Sequence, residues 1–123
     1  MKNKHLYSED VPKYLTFGER FDNIQHSRLR THCSVLKEHL HSKGIMDDPH
    51  CECGSIESTE HYLLHCPVYN VQRDTLTREL HNYGPLSEQL LLFGDNSKNT
   101  SYNEKLFKAV HHFLKTSKRF STE

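Results

Sequence analysis

The sequence predicts a small, mostly α-helical domain that is stabilised by a cluster of cysteine and histidine residues. Three observations lead to this prediction. Apolar residues recur at helical spacing in several segments, and three of the four cysteines lie close together between Cys51 and Cys66. The only segment in which a short β-hairpin could form is the turn around these cysteines. A chain of 123 residues with 34% hydrophobic residues fits one domain with a modest core.

The chain divides into two regions. Residues 1–21 contain Pro12, Gly18 and scattered aromatic rings, which predicts an irregular N-terminal arm. Residues 22–120 are predicted to form a single helical domain that includes the cysteine-rich segment at 50–67. We find no internal repeat or low-complexity tract that would divide this second region further.

Composition excludes several classes of function. The 16 basic and 16 acidic residues cancel to a net charge of +0, so any attraction of nucleic acid must come from local basic groups. No apolar run approaches the ~18 residues of a membrane span, and no signal peptide is visible. We therefore expect no membrane partner and a nuclear or cytoplasmic location without secretion. Because no catalytic triad or glycine-rich phosphate loop is present, we also expect no enzymatic activity and no small-molecule substrate.

The first predicted helix runs from about Asn23 to Ser42 and stops at Gly44. Its apolar stripe consists of Leu29, Cys33, Leu36 and Leu40. On this stripe Cys33 is expected to be a buried thiol. Several histidines flank the same helix, and solvated side chains are expected for them, with a second metal site as the alternative: His26, His32, His39 and His41.

Three more helices follow the cysteines. One is predicted from about Val68 to Tyr83, and a short one from Glu88 to Phe93 with Ser87 as its N-terminal cap. The last begins at the capping box Ser101–Glu104. Its apolar face consists of Tyr102, Leu106, Ala109, Val110 and Phe113. Its opposite face is basic: Lys105, Lys108, His112, Lys115 and Arg119.

The cysteines and a histidine form the pattern C-x-C-x7-H-x4-C, with Cys51, Cys53, His61 and Cys66 as candidate ligands. Three thiolates and one imidazole satisfy the tetrahedral coordination that zinc prefers. The two-cysteine turn is followed by Gly54, which gives the backbone freedom to direct both sulfurs inward. Ser58 could cap the short helix that carries the histidine.

The spacing leaves the fourth ligand open. In an ideal helix Cys66 lies about 140° around the axis from His61. It would therefore have to follow the helix end, before Pro67. His65 shares the face of His61 and would complete a Cys2His2 set. Thiolates compete well in a sulfur-rich site, which modestly favours Cys66. Either set closes the coordination shell, so one structural zinc ion is predicted rather than a catalytic one.

Taken together, these motifs resemble the C-terminal region of non-LTR (LINE-type) retrotransposon reverse transcriptases. The resemblance covers about residues 12–120. It rests on Arg28-Leu29-Arg30, His32-Cys33-Ser34, Asp47-Asp48-Pro49-His50-Cys51-Glu52-Cys53-Gly54, Glu60-His61-Tyr62-Leu63-Leu64-His65-Cys66-Pro67, Leu91-Leu92-Phe93-Gly94 and the segment from Val110 to Phe120. Such regions carry a CCHC zinc knuckle of this form, so the resemblance implies that Cys66, not His65, is the fourth ligand.

The resemblance also implies a function. It suggests a detached, non-catalytic accessory module that binds RNA, single-stranded DNA or target DNA, with other retroelement proteins as further partners. The expected contacts to nucleic acid are Arg20, Arg28, Arg30, Lys105, Lys108, Lys115 and Arg119. The alternative is a structural or protein-interaction zinc domain. The neutral net charge and the lack of lysine and arginine between Asp47 and Glu60 favour this alternative.

Overall fold

The computed structural model describes residues 18–120, and this part of the chain is mostly helical, as predicted. Its α-helices are α1 (Arg20–Arg30), α2 (Lys37–Ser42), α3 (Asn70–Glu79), α4 (Glu88–Phe93) and α5 (Thr100–Ser117). A π-helical turn at His61–His65 precedes a 3₁₀ turn at Pro67–Tyr69, and a second 3₁₀ turn at His81–Tyr83 follows α3. The predicted helix over residues 68–83 is thus confirmed, with tighter turns at both of its ends.

Helix α5 lies at the centre of the fold, and α1, α3 and α4 pack against it. The predicted apolar face of α5 is buried, apart from the partly exposed Tyr102. One hydrophobic core runs through the described residues. Its members are Leu29, Leu36, Tyr62, Leu63, Leu76, Leu80, Leu91, Leu92, Leu106, Phe107, Ala109, Val110, Phe113, Leu114 and Phe120. The cysteine-rich segment contributes Tyr62 and Leu63, so the core and the candidate metal site share a structural element.

The prediction of one helix from Asn23 to Ser42 is wrong. Helix α1 ends at Arg30, and His32 adopts a left-handed backbone with φ 58°. The chain restarts as α2 at Lys37. Cys33 lies in the break and is exposed, which corrects the prediction that it is a buried thiol. The apolar stripe survives in part, because Leu29 and Leu36 are both fully buried.

Two predicted helix starts have different outcomes. The Ser87 cap of α4 is confirmed, since its hydroxyl accepts a hydrogen bond from the Leu90 N–H at 3.1 Å. The prediction that Ser101 caps the last helix is wrong. Asn99 caps α5, and its side-chain oxygen accepts the Tyr102 N–H at 2.8 Å. An asparagine is as good a cap as a serine, so the helix begins two residues earlier.

The predicted hairpin at the cysteines is reduced to a single antiparallel bridge between His50 and Ile56. The Cys51 N–H donates to the Ser55 carbonyl at 2.7 Å inside this turn. Gly54 has φ 100°, a conformation that L side chains rarely adopt, in agreement with the predicted need for glycine. Residues 18–120 contain no longer strand.

The predicted arm at residues 1–21 lies mostly outside the described residues, and the described chain starts α1 at Arg20. Gly18 packs against helix α5 so closely that an added Cβ would lie 2.6 Å from the His111 ring. Among residues 18–120, no helix has the length and apolar character required to cross a bilayer.

Candidate metal centre

The structure brings together the four predicted ligands Cys51, Cys53, His61 and Cys66. Their three sulfurs and one ring nitrogen all lie within 4.8 Å of one another. The sulfurs of Cys51 and Cys66 are 3.5 Å apart, and His61 Nε2 is 3.2 Å from the Cys53 sulfur. A tetrahedron with Zn–S distances of about 2.3 Å has edges of about 3.8 Å. The cluster therefore has the size and the donor chemistry of one tetrahedral metal site.

Backbone N–H groups support two of the sulfurs. The N–H of Ser55 lies against the Cys53 sulfur, and the N–H of Val68 lies against the Cys66 sulfur. In both cases the donor is two residues beyond the cysteine. Both hydrogen bonds favour the thiolate form that a metal requires, because an N–H stabilises negative charge on sulfur.

The thiols and the imidazole differ in their acid–base properties. Burial raises the pKa of the Cys66 thiol to about 12, whereas the Ser55 N–H lowers the pKa of the exposed Cys53 thiol. Burial also lowers the pKa of His61, with His65 and Arg73 contributing, and this keeps the imidazole neutral as ligation demands. A bound divalent cation would stabilise the thiolates that burial opposes. The residues present therefore fit a zinc ion.

A wide helical turn positions His61 and Cys66. Ser58 caps this turn as predicted, because its hydroxyl accepts the His61 N–H at 3.1 Å. The Cys66 N–H then donates to the His61 carbonyl at 2.8 Å, five residues back instead of four. This spacing reduces the rotation between the two residues, so Cys66 swings from the far side of an α-helix toward the histidine.

The same turn rotates His65 away from the cluster. Its ring is exposed, and Nε2 lies 3.5 Å from a carboxylate oxygen of Glu60. His65 does not belong to the group of residues that could hold an ion. The ligand set Cys51, Cys53, His61 and Cys66 is thus the one that the geometry assembles.

Arg73 on helix α3 holds the carbonyl groups at the end of the ligand-bearing turn. Its guanidinium donates to the carbonyls of Tyr62 at 2.8 Å, Leu63 at 3.0 Å and Cys66 at 2.7 Å. A helix end leaves its last carbonyls without intrahelical donors, and Arg73 supplies donors there, while the Cys66 carbonyl also accepts the Tyr69 N–H at 3.2 Å. No sequence signal identified Arg73, since its partners are backbone atoms set by the tertiary fold.

Glu57 connects the cysteine turn to two other parts of the fold. Its carboxylate is 4% exposed and accepts two hydrogen bonds from Arg119, each at 2.8 Å. One of its oxygens also accepts the Lys37 N–H at 2.8 Å, which serves the start of helix α2. Burial alone would raise the pKa of Glu57, but the hydrogen bonds from Arg119 and Lys37 hold this pKa below its usual value.

Two histidines expected to be solvated are buried instead. His39 is 1% exposed; its Nδ1 lies 2.7 Å from the Ser34 hydroxyl, and its Nε2 lies 2.9 Å from the Thr59 hydroxyl. His26 is fully buried between the His111 ring and the Leu91 carbonyl. Both serve as internal hydrogen-bonding groups, and neither belongs to a second metal cluster within residues 18–120.

The seven predicted contacts to nucleic acid lie in different environments. Arg20, Arg28, Lys105 and Lys108 are exposed. Three others have partners in the fold. Arg30 donates to the Leu92 carbonyl and lies over the Phe107 ring, Lys115 pairs with Glu19 and Asp22, and Arg119 pairs with Glu57. The seven differ in their exposure and in their partners, and their role in binding stays a prediction.

Comparison with known proteins finds no family model, no curated protein and no solved structure that matches this chain.

Proposed function

We propose that this chain is a zinc-binding domain in which the metal is structural, and that the domain binds nucleic acid as an accessory module without catalysis. In origin it would be the C-terminal region of a LINE-type reverse transcriptase. The observation that carries the zinc assignment is the approach of three sulfurs and one imidazole nitrogen within 4.8 Å. Sulfur-rich sites favour zinc over hard cations such as Mg²⁺ and Ca²⁺. Four protein ligands leave no open position for a reacting water.

The metal would be tested by loading the protein with zinc or cobalt and measuring stoichiometry. One ion per chain is expected, and the cobalt form should show sulfur-to-metal charge-transfer absorption. His65→Ala should keep the ion and this absorption, whereas Cys66→Ser should lose much of both. Retention of the ion by Cys66→Ser together with its loss from His65→Ala would overturn the ligand assignment.

Nucleic-acid binding is supported by exposed basic side chains in a chain whose total charge is zero. Lys105 and Lys108 lie one turn apart on α5, and neither forms an ion pair within residues 18–120. The exposed Arg20 and Arg28 provide a second basic group on α1. Such groups bind phosphates in a salt-dependent manner.

Fluorescence anisotropy with a labelled single-stranded RNA, measured from low to physiological salt, tests this second part. Affinity should fall linearly on a log–log plot as salt increases, with a slope of roughly 0.7 for each phosphate that is neutralised. The zinc-loaded protein should bind more tightly than the protein with chelator. An affinity that shows no dependence on salt, or no binding at all, would contradict a nucleic-acid role.

The alternative is a zinc domain that binds another protein. A specific observation favours it: apolar side chains near the candidate metal centre are exposed, with Val71 at 77%, Val68 at 50% and Ile56 at 39%. Exposed apolar groups of this kind occur at protein interfaces. If Val68→Ser/Val71→Ser abolishes a partner interaction while RNA binding is absent, this alternative replaces the nucleic-acid proposal.

A further inference from the structure

A groove of about 780 Å³ lies between the first half of helix α5 and the end of α3 with the 3₁₀ turn that follows it. It is remote in sequence from the cysteine cluster and uses none of its residues. The side chains that matter for its chemistry are Glu79, Asn82, Tyr83, Tyr102, Lys105 and Lys108.

Two tyrosine rings line the groove. The centroids of Tyr83 and Tyr102 are 4.6 Å apart, and their planes are tilted by 45°. The Tyr83 hydroxyl donates to the Tyr102 carbonyl at 3.0 Å, which fixes the orientation of the first ring. Both rings are only partly buried, and Tyr102 lies outside the hydrophobic core. A partly exposed, oriented aromatic pair is a surface on which a nucleic-acid base can stack.

Lysine side chains lie in the same groove or beside these rings. Lys105 and Lys108 line the groove on α5, and the Lys98 ammonium lies 5.7 Å from the centre of the Tyr102 ring. His112 continues the same face one turn beyond Lys108. Among residues 18–120, Glu79 is the only carboxylate in the groove lining. The groove is therefore locally positive, although the chain as a whole is neutral.

We propose that this groove binds an unpaired nucleotide segment, with a base stacked on Tyr102 and Tyr83 and the adjacent phosphates held by Lys105 and Lys108. The proposal rests on the nucleic-acid function proposed above and gives it a location. It specifies single strands because a paired base has no free face to offer the rings, whereas an unpaired base can leave its neighbours and stack on them. Polar amides such as Asn82 can add hydrogen bonds to a base edge.

The test compares four zinc-loaded proteins in the same anisotropy assay, using a short oligouridine. They are the wild type, Lys105→Ala/Lys108→Ala, Tyr102→Ala and the control Lys43→Ala/Arg78→Ala, which removes the same charge from exposed positions outside the groove. The first double variant should lower the salt slope by about 1.4, corresponding to two phosphate contacts. Tyr102→Ala should weaken binding about fivefold or more with little change in slope. The control should behave as the wild type.

Tyr102→Phe provides a check on folding, since it retains the ring and should retain binding. A 5-iodouracil-labelled strand should in addition form photo-crosslinks to Tyr102 or Tyr83. Suppose that wild type binds single strands, that the groove variants bind with the same affinity, and that Arg20→Ala/Arg28→Ala does not bind. The groove is then not the binding site, and the proposed function stands. If wild type binds neither single strands nor a duplex, the groove proposal and the proposed nucleic-acid role are both overturned. Equal or tighter binding of a duplex of the same length would overturn the single-strand specificity.

Discussion

The cysteine turn at residues 50–58 and helix α5 are built on different principles. In the turn, only Cys51 and Glu57 are buried, and most of the remaining side chains are exposed. In α5, an apolar face runs from Leu106 to Leu114 and lies entirely in the core. The helix is specified by burial of apolar surface, while the turn is specified by four ligand atoms and one buried carboxylate. Loss of a single partner should therefore affect the turn far more than the helix.

The largest expected effect comes from removal of the metal. Structural zinc contributes an apparent ~10–16 kcal/mol to the domains that bind it, as much as the ~5–15 kcal/mol stability of an ordinary domain. A chelator should abolish hydrogen-exchange protection over at least residues 50–67, while α5 should keep part of its helical circular dichroism. Unchanged protection of residues 50–67 after chelation would show that the turn is stable without metal.

The next effect in size concerns the buried ion pair. Arg119→Ala leaves the Glu57 carboxylate buried without its partner, which should cost about 3–5 kcal/mol of unfolding free energy. Urea denaturation of the zinc-loaded protein measures this cost. Lys118→Gly, at the neighbouring exposed position with φ 59°, is the matched control and should be nearly neutral. A double variant with Glu57→Gln should recover part of the loss, and a cost below 1 kcal/mol would contradict the role assigned to the pair.

A smaller effect should follow a change in pH. Burial lowers the pKa of His39 and of His111 to about 4, and that of His26 well below its usual value. The unfolded chain, with histidine pKa values near 6.5, therefore binds more protons than the folded one between about pH 6.5 and 4. The free energy of unfolding should therefore decrease as the pH is lowered through this window, by at most about 1.4 kcal/mol per pH unit for each histidine.

Imidazole NMR signals measure these titrations individually, with excess zinc present throughout. In the folded protein the signals of His39 and His111 should not shift between pH 7.5 and 5.5. Titration of either ring near 6.5 would mean that it is solvated, as the sequence had suggested for His39 and its neighbours.

The smallest effect distinguishes two helix caps. Asn99→Ala should cost about 1 kcal/mol because it removes the acceptor for the Tyr102 N–H. Ser101→Ala, inside the first turn of α5, should change stability by no more than about 0.5 kcal/mol. Urea denaturation of both variants decides the matter. A larger cost for Ser101→Ala would restore the capping box at Ser101–Glu104.

How much the sequence could predict depends on whether the determinants are local. Helix α4 and its Ser87 cap, the buried face of α5 and the four clustered ligand residues follow from spacing and neighbouring residues. The break between α1 and α2 does not, since α2 is held by contacts with residues distant in the sequence, such as the hydrogen bond between His39 and Thr59, twenty residues away. The burial of His26 likewise requires the Leu91 carbonyl, which no pattern around residue 26 can reveal.

The choice between His65 and Cys66 shows the same limit in the metal site. Ideal helical geometry places His65 beside His61, so spacing alone could not exclude it. In the structure, Cys66 joins the cluster because its N–H donates to the carbonyl of His61, five residues back, and because Arg73 donates to the Cys66 carbonyl at the end of the turn. Neither feature has a sequence signature, although the sequence did predict that the helix ends before Pro67, which is where Cys66 lies.

The hydrogen bond from the Cys66 N–H to the His61 carbonyl has a consequence for the donor atoms that the candidate metal site offers. In an α-helical turn, with hydrogen bonds to the fourth residue back, the nitrogen of His65 would lie on the face of His61. With the observed hydrogen bond to the fifth residue back, the sulfur of Cys66 lies in the cluster instead. The number of sulfur atoms that the candidate site offers is therefore set by a main-chain hydrogen bond, and sulfur-rich donor sets favour thiophilic ions. A one-residue deletion between His61 and Cys66 would place the cysteine four residues after the histidine, where an ordinary α-helical turn brings both side chains to one face, so the same four donors would meet without the five-residue bond.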